Sequence, residues 1–86
     1  MSDGAFTTHV VDVPESAWVY LFSDGFIDQF GGNDGRKFMI KNFINLLQHI
    51  HQYPASEQRE LLKITFNEWK QKFPQVDDVL VIAFKV

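Results

Sequence analysis

Residues 18–22 are Trp-Val-Tyr-Leu-Phe, and residues 79–84 are Val-Leu-Val-Ile-Ala-Phe. Both segments have the length and the β-branched and aromatic content of a β-strand. A strand that keeps one face in water alternates apolar and polar side chains, whereas neither of these segments alternates. The two segments therefore predict a sheet that needs cover on both faces.

The remaining sequence predicts a small number of further elements. Apolar residues recur at spacings of 4, 3 and 4 within residues 39–50 and again within residues 62–73, which is typical of two amphipathic helices. A β-rich segment, residues 9–13, precedes the first apolar strand, and a glycine-rich loop, residues 31–35, precedes the first helix. Pro14-Glu15-Ser16 is the predicted turn between the first two strands. The predicted order is strand, strand, helix, helix, strand.

Two helices can cover only one face of a three-stranded sheet, so the other face needs a second sheet that this chain does not encode. At about 25 cal/mol per Å² of apolar surface, several large uncovered side chains forfeit several kcal/mol, which is comparable with the whole stability of a small domain. We therefore expect an α+β chain that is either a fragment of a larger sandwich or a chain that associates with itself.

Composition excludes several classes of protein. The 86 residues include no cysteine, so neither a disulfide framework nor a thiolate zinc site can form. Every apolar run falls far short of the roughly 20 residues of a membrane helix, and the N-terminus does not resemble a secretory signal. The net charge of −3 argues weakly against a nucleic-acid partner. We expect a cytoplasmic protein that binds neither membranes nor nucleic acid.

The candidate chemistry lies in acidic residues at strand ends. Asp24 follows the first apolar strand, with Gly25 allowing a sharp turn, and Asp77-Asp78 precede the last apolar strand. If the two strands are antiparallel neighbours, these carboxylates gather at one end of the sheet, where their mutual repulsion favours binding of a cation. Oxygen ligands without His or Cys select Mg²⁺ or Mn²⁺ over zinc. Asp is also common in turns at strand ends, so spacing alone leaves that plainer interpretation open.

The same residues resemble a known family. Residues 20–32 are Tyr-Leu-Phe-Ser-Asp-Gly-Phe-Ile-Asp-Gln-Phe-Gly-Gly, residues 66–70 are Phe-Asn-Glu-Trp-Lys, and residues 75–82 are Gln-Val-Asp-Asp-Val-Leu-Val-Ile. Together they are similar to the C-terminal part of metal-dependent PPM-type serine/threonine phosphatases, in particular the bacterial SpoIIE-like branch. The resemblance covers residues 17–86 and implies a four-layer α/β/β/α sandwich, of which residues 1–86 would be the C-terminal portion of an incomplete domain.

The resemblance implies specific roles for individual residues. Asp24 and Asp77 match the family's metal ligands and would bind Mn²⁺ or Mg²⁺; in the family, two such ions activate the water that hydrolyses phosphoserine or phosphothreonine in a protein substrate. Asp78, Asp28 and Gly25 are weaker candidates that would support the site rather than bind metal.

One part of the family pattern does not match this sequence. The family's further metal ligands lie in an N-terminal segment with an Asp-Gly at a strand end, and Asp3-Gly4 does not fit that context. We therefore expect this chain to lack full activity alone and to require either the N-terminal part of the domain or a second copy of itself. The alternative is a non-catalytic interaction or sensor-output module that retains the fold and dimerises through its uncovered sheet face.

Overall fold

The computed structural model describes residues 6–13, 16–75 and 77–86. The described residues form five strands and three helices, in the order β1 (Thr7–Val13), β2 (Ser16–Phe22), α1 (Asp24–Ile27), β3 (Phe30–Gly31), β4 (Arg36–Lys37), α2 (Ile40–Ile50), α3 (Ala55–Lys70) and β5 (Val81–Lys85). Of the predicted turn, Pro14 and Glu15 lie outside the described residues, whereas Ser16 is the first residue of β2. None of the described helices has the length and apolar character that crossing a membrane requires.

Strand β2 is the centre of a three-stranded antiparallel sheet with the order β1-β2-β5. Its pairing with β1 runs from Thr7 opposite Phe22 to Val13 opposite Ser16. Its pairing with β5 ends where Phe22 lies opposite Val81. The two apolar strands are therefore direct antiparallel neighbours, which is the condition under which Asp24 and Asp77 lie at one end of the sheet. The mixed α+β fold class is confirmed.

One face of this sheet forms the core together with the helices. Phe26 of α1 lies at the centre of an aromatic cluster, with ring centroids 4.9 Å from Phe38, 4.8 Å from Phe43 and 5.0 Å from Phe66. Helix α2 is held by its apolar stripe, because that stripe faces the sheet. The fully buried side chains from the sheet and from α2 are Val11, Tyr20, Phe22, Phe43, Leu47 and Ile50.

The opposite face of the sheet, which we call the outer face, is apolar and open. Val10 lies opposite Val19, and Val19 lies opposite Phe84, so these side chains share one face. Val10, Ile82 and Phe84 remain 47%, 54% and 44% exposed. The sequence predicts one uncovered face. In the part of the chain that the structure describes, these three side chains of the outer face are each about half exposed.

The structure departs from the predicted element limits in the last strand. Regular pairing begins at Val81 rather than at Val79, because the main-chain N–H of Leu80 donates to the side-chain hydroxyl of Ser23 at 3.0 Å instead of to a strand carbonyl. A side chain thus replaces one main-chain bond of the ladder at this end of the sheet.

Two connecting segments also differ from the prediction. The glycine-rich loop is bounded by a short hairpin, β3 and β4, in which Gly32 and Gly35 have positive φ angles. Helix α3 ends at Lys70 rather than at Phe73, because the next residue, Gln71, has a φ of 50°, which is incompatible with a right-handed helix.

Candidate metal centre

The first segment of the candidate site is the turn that follows β2. Ser23 occupies the N-cap position of α1 in an extended conformation, and Asp24 is the first residue of that four-residue helix. The turn is held in place because Phe26, two residues later, is buried in the core. Asp24 is partly buried at the end of the central strand.

The second segment is the approach to β5, residues 77–80, which has no regular secondary structure. The carboxylate Oδ1 of Asp77 accepts the main-chain N–H of Asp78 at 2.8 Å. The side-chain amide of Gln75 donates to the carbonyl of Asp77 at 2.9 Å. These short-range hydrogen bonds shape a turn in which Asp77 is partly buried and Asp78 is exposed.

The two segments are joined directly to each other. The hydroxyl of Ser23 donates to the carbonyl oxygen of Asp78 at 3.1 Å, and the N–H of Ser23 donates to the carbonyl of Leu80 at 3.0 Å. Gly25 lies against the same peptide: a Cβ there would overlap the carbonyl oxygen of Asp78 and would lie 2.7 Å from its carbonyl carbon. The residues on both sides of Asp24 therefore touch the main chain of the second segment.

Asp28 is placed differently from the other candidate residues. It caps the C-terminal end of α1, and its Oδ1 lies 3.8 Å from the ammonium of Lys37 in the hairpin. Both side chains are nearly half exposed, so this ion pair contributes little to stability. The carboxylate of Asp28 is thus engaged with β4, whereas Asp24 lies beside the second segment.

Comparison with known proteins places this arrangement in a family. The sequence profile of Stage II sporulation protein E (SpoIIE) matches residues 1–86. The chain belongs to the SpoIIE family. Among solved structures, the SiaA-PP2C domain of Pseudomonas aeruginosa is similar, with a TM-score of 0.77 and 35% identity over 79% of this chain. No curated protein matches.

These matches confirm the resemblance to the PPM-type, SpoIIE-like phosphatase domain. This SpoIIE-family chain spans 28% of the length of the SiaA-PP2C chain that it matches. The activity, substrates and partners of a whole domain of this kind are therefore proposals for this chain.

The donor set in the described part of this SpoIIE-family chain fits a hard cation only in part. Asp24 and Asp77 supply carboxylate oxygens from adjacent segments, which suits Mg²⁺ or Mn²⁺. Among residues 6–13, 16–75 and 77–86, no group of three or more His, Cys, Asp or Glu side chains is arranged to hold a metal ion. The chain can thus contribute ligands to a metal site without completing one, and metal binding by Asp24 and Asp77 stays a prediction.

Sequence reasoning missed Gln29, which connects the hairpin to the end of α3 and to the residues before Asp77. Its side chain is fully buried, and its amide donates to the carbonyls of Phe30 and Pro74, each at 2.9 Å. The indole of Trp69 donates to the Gln29 carbonyl at 2.8 Å. Gln29 therefore holds the hairpin, the end of α3 and the start of the segment that leads to Asp77. A lone glutamine in a turn carries no sequence signal for this role.

Proposed function

We propose that this chain is the C-terminal segment of a metal-dependent phosphoserine and phosphothreonine protein phosphatase domain, in which Asp24 and Asp77 contribute ligands to a Mn²⁺ or Mg²⁺ site. The observation that carries the proposal is the hydrogen-bonded contact, which we call the joint, between the turn that carries Asp24 and residues 77–80. Membership of the SpoIIE family and the similarity to a PP2C domain support the same chemistry.

The roles of the residues follow from their positions. Asp24 and Asp77 would hold the ion from two sides of the joint, and the backbone around Ser23 and Gly25 keeps those sides together. When bound, such an ion lowers the pKa of a water nucleophile and stabilises negative charge on the phosphoryl group. The further ligands and the surface that binds the phosphorylated protein would come from the rest of the domain.

The test is a pair of substitutions in the full-length protein that carries this chain. Asp24→Asn and Asp77→Asn should each weaken Mn²⁺ binding at least 10-fold in calorimetric titration and remove most hydrolysis of p-nitrophenyl phosphate. Asp34→Asn is the matched control, because Asp34 is a highly exposed hairpin carboxylate that pairs with Arg36 at 3.8 Å. Unchanged Mn²⁺ binding in both of the first two variants would overturn the proposal.

The isolated chain provides a second test. Because the described residues supply only part of a ligand set, the purified 86-residue chain should show no metal-dependent hydrolysis of p-nitrophenyl phosphate. Hydrolysis that rises with added Mn²⁺ would contradict the assignment of the remaining ligands to another segment.

The open outer face favours one alternative, a non-catalytic module that dimerises through this face. Val10, Ile82 and Phe84 would then pack against their counterparts in a second copy. Sedimentation and Mn²⁺ titration of the full-length protein together separate the two functions. A dimer that binds no Mn²⁺ supports the interaction module, and a monomer that binds Mn²⁺ supports the phosphatase.

A further inference from the structure

The hydroxyl of Ser23 makes two hydrogen bonds to main-chain groups at the joint. The regular pairing of β2 with β5 ends at Phe22 opposite Val81, one residue before Ser23. Beyond that point, the Ser23 hydroxyl donates to the carbonyl of Asp78 at 3.1 Å and accepts the N–H of Leu80 at 3.0 Å. The Ser23 hydroxyl, together with the main-chain N–H of Ser23 that donates to the carbonyl of Leu80 at 3.0 Å, therefore extends the connection between the strands past the end of the ladder.

The position of these two hydrogen bonds matters for the carboxylates. Ser23 immediately precedes Asp24. Its hydroxyl donates to the main-chain carbonyl of Asp78, which immediately follows Asp77. The segment that carries Asp77 has no helix or strand of its own to fix its path. The spacing between the two carboxylates thus depends on a contact that lies one residue from each of them.

The chemistry of the hydroxyl also defines what Ser23 does not do. A serine hydroxyl has one donor, and that donor is directed at the Asp78 carbonyl. One of its lone pairs is occupied by the N–H of Leu80. The side chain therefore has no donor left for a phosphoryl oxygen, which argues for a role through the backbone rather than on the substrate.

We propose that Ser23 is a positioning residue for the metal site, whose hydroxyl holds the segment of Asp77 at a fixed distance from Asp24. This inference rests on the proposed function, because it assumes that these two carboxylates share an ion. Residues that orient metal ligands without touching the metal typically change metal affinity 10- to 100-fold when they are replaced. Since Ser23 acts through main chain, we expect the lower end of that range.

The experiment measures Mn²⁺ affinity in the full-length protein, from the electron paramagnetic resonance signal of free Mn²⁺, and thermal stability in EDTA. Ser23→Ala should raise the dissociation constant for Mn²⁺ about 10-fold. Ser23→Thr keeps the hydroxyl, and its β-branched side chain suits the extended backbone at this position, so its affinity should lie within about three-fold of the unmodified protein.

The matched control is Tyr20→Phe, which removes a hydroxyl hydrogen bond to Gln58 from β2, three residues before Ser23. It should lower thermal stability in EDTA and leave Mn²⁺ affinity unchanged. A general loss of stability therefore cannot explain the expected result for Ser23→Ala. If Ser23→Ala does not fold, Ser23→Cys retains the volume with weaker hydrogen bonds and should raise the dissociation constant by a smaller factor.

The outcomes separate this inference from the function on which it rests. If Asp24→Asn loses Mn²⁺ while Ser23→Ala binds it within two-fold of the unmodified protein, the positioning role is wrong and the phosphatase proposal stands. If Asp24→Asn and Asp77→Asn both retain Mn²⁺ affinity, the metal site itself is wrong, and the role of Ser23 falls with it.

Discussion

Replacing Tyr20 with Phe tests the buried hydrogen bond between Tyr20 and Gln58. The Tyr20 hydroxyl donates to Oε1 of Gln58 at 2.8 Å, and the two residues are 0% and 2% exposed. The substitution leaves a buried amide oxygen without its donor, which typically costs about 1–3 kcal/mol. For a domain of this size that loss lowers the melting temperature by roughly 5–20 °C.

Because Gln58 is the partner of Tyr20 in this hydrogen bond, the two residues can be tested in a double-mutant cycle. The amide of Gln58 also donates to the carbonyl of Tyr53 at 2.8 Å, so Gln58 ties α3 to the turn after α2 as well as to β2. Gln58→Leu should therefore cost more than Tyr20→Phe. In the double variant the unpaired oxygen is gone, and the combined loss should be smaller than the sum by about 1 kcal/mol.

Urea unfolding of all four proteins, followed by circular dichroism, measures this coupling. A Tyr20→Phe variant within 0.3 kcal/mol of the unmodified protein, or strictly additive losses, would refute the claim that the hydroxyl and the amide form a buried pair.

The same tyrosine predicts a pH dependence. Burial raises the pKa of Tyr20 from 10.0 to about 12, since the charged phenolate is disfavoured in the core. In the unfolded chain this group loses its proton near its ordinary pKa, so its contribution to stability is complete below pH 10 and declines as the pH rises toward 12. Between these pH values the unmodified protein should lose more stability than Tyr20→Phe does, and parallel stability curves for the two proteins would contradict this.

Three further predictions concern the joint, the start of α2 and the outer face. Gly25→Ala should destabilise the chain by about 2–3 kcal/mol, because its Cβ would overlap the Asp78 carbonyl, and an unchanged urea midpoint would rule out that contact. Met39→Gly should stabilise it by about 1 kcal/mol, since Met39 has a φ of 79° and a ψ of 148° that glycine adopts without strain; a lower melting temperature would argue against strain there. In the isolated chain, Ile82→Lys combined with Phe84→Lys should keep the circular dichroism spectrum and reduce self-association in sedimentation velocity, and unchanged association would show that the outer face is not the contact.

The parts of the fold that sequence predicted well are those whose signal is local and repeated. The apolar stripe within residues 39–50 predicts α2 because a single face of that helix is buried. The two unbroken apolar segments predict strands with two apolar faces, whereas their pairing as β2 and β5 is known only from the structure. The resemblance to the SpoIIE family could also be seen from the sequence, because the Ser-Asp-Gly and Asp-Asp motifs are short and lie next to those two segments.

What sequence did not predict depends on contacts between residues far apart in the chain. Ser23 bonds to Asp78, 55 residues away, and Gln29 bonds to Pro74, 45 residues away. Neither partner has a periodic pattern, and serine and glutamine are ordinary residues in turns. The four residues of α1 and the two-residue strands of the hairpin are likewise too short for periodicity to identify.

The outer face connects stability with the completeness of the site. Full burial of one large apolar side chain contributes about 1.5–3 kcal/mol, and Val10, Ile82 and Phe84 are about half exposed. Covering them would thus add several kcal/mol, a large fraction of the 5–15 kcal/mol that is typical of a domain. Under the proposed function, the second sheet that covers this face belongs to the same domain as the remaining metal ligands. Variants of the outer face in the full-length protein should then weaken Mn²⁺ binding together with folding, whereas Ser23→Ala should weaken Mn²⁺ binding by more than its loss of stability accounts for.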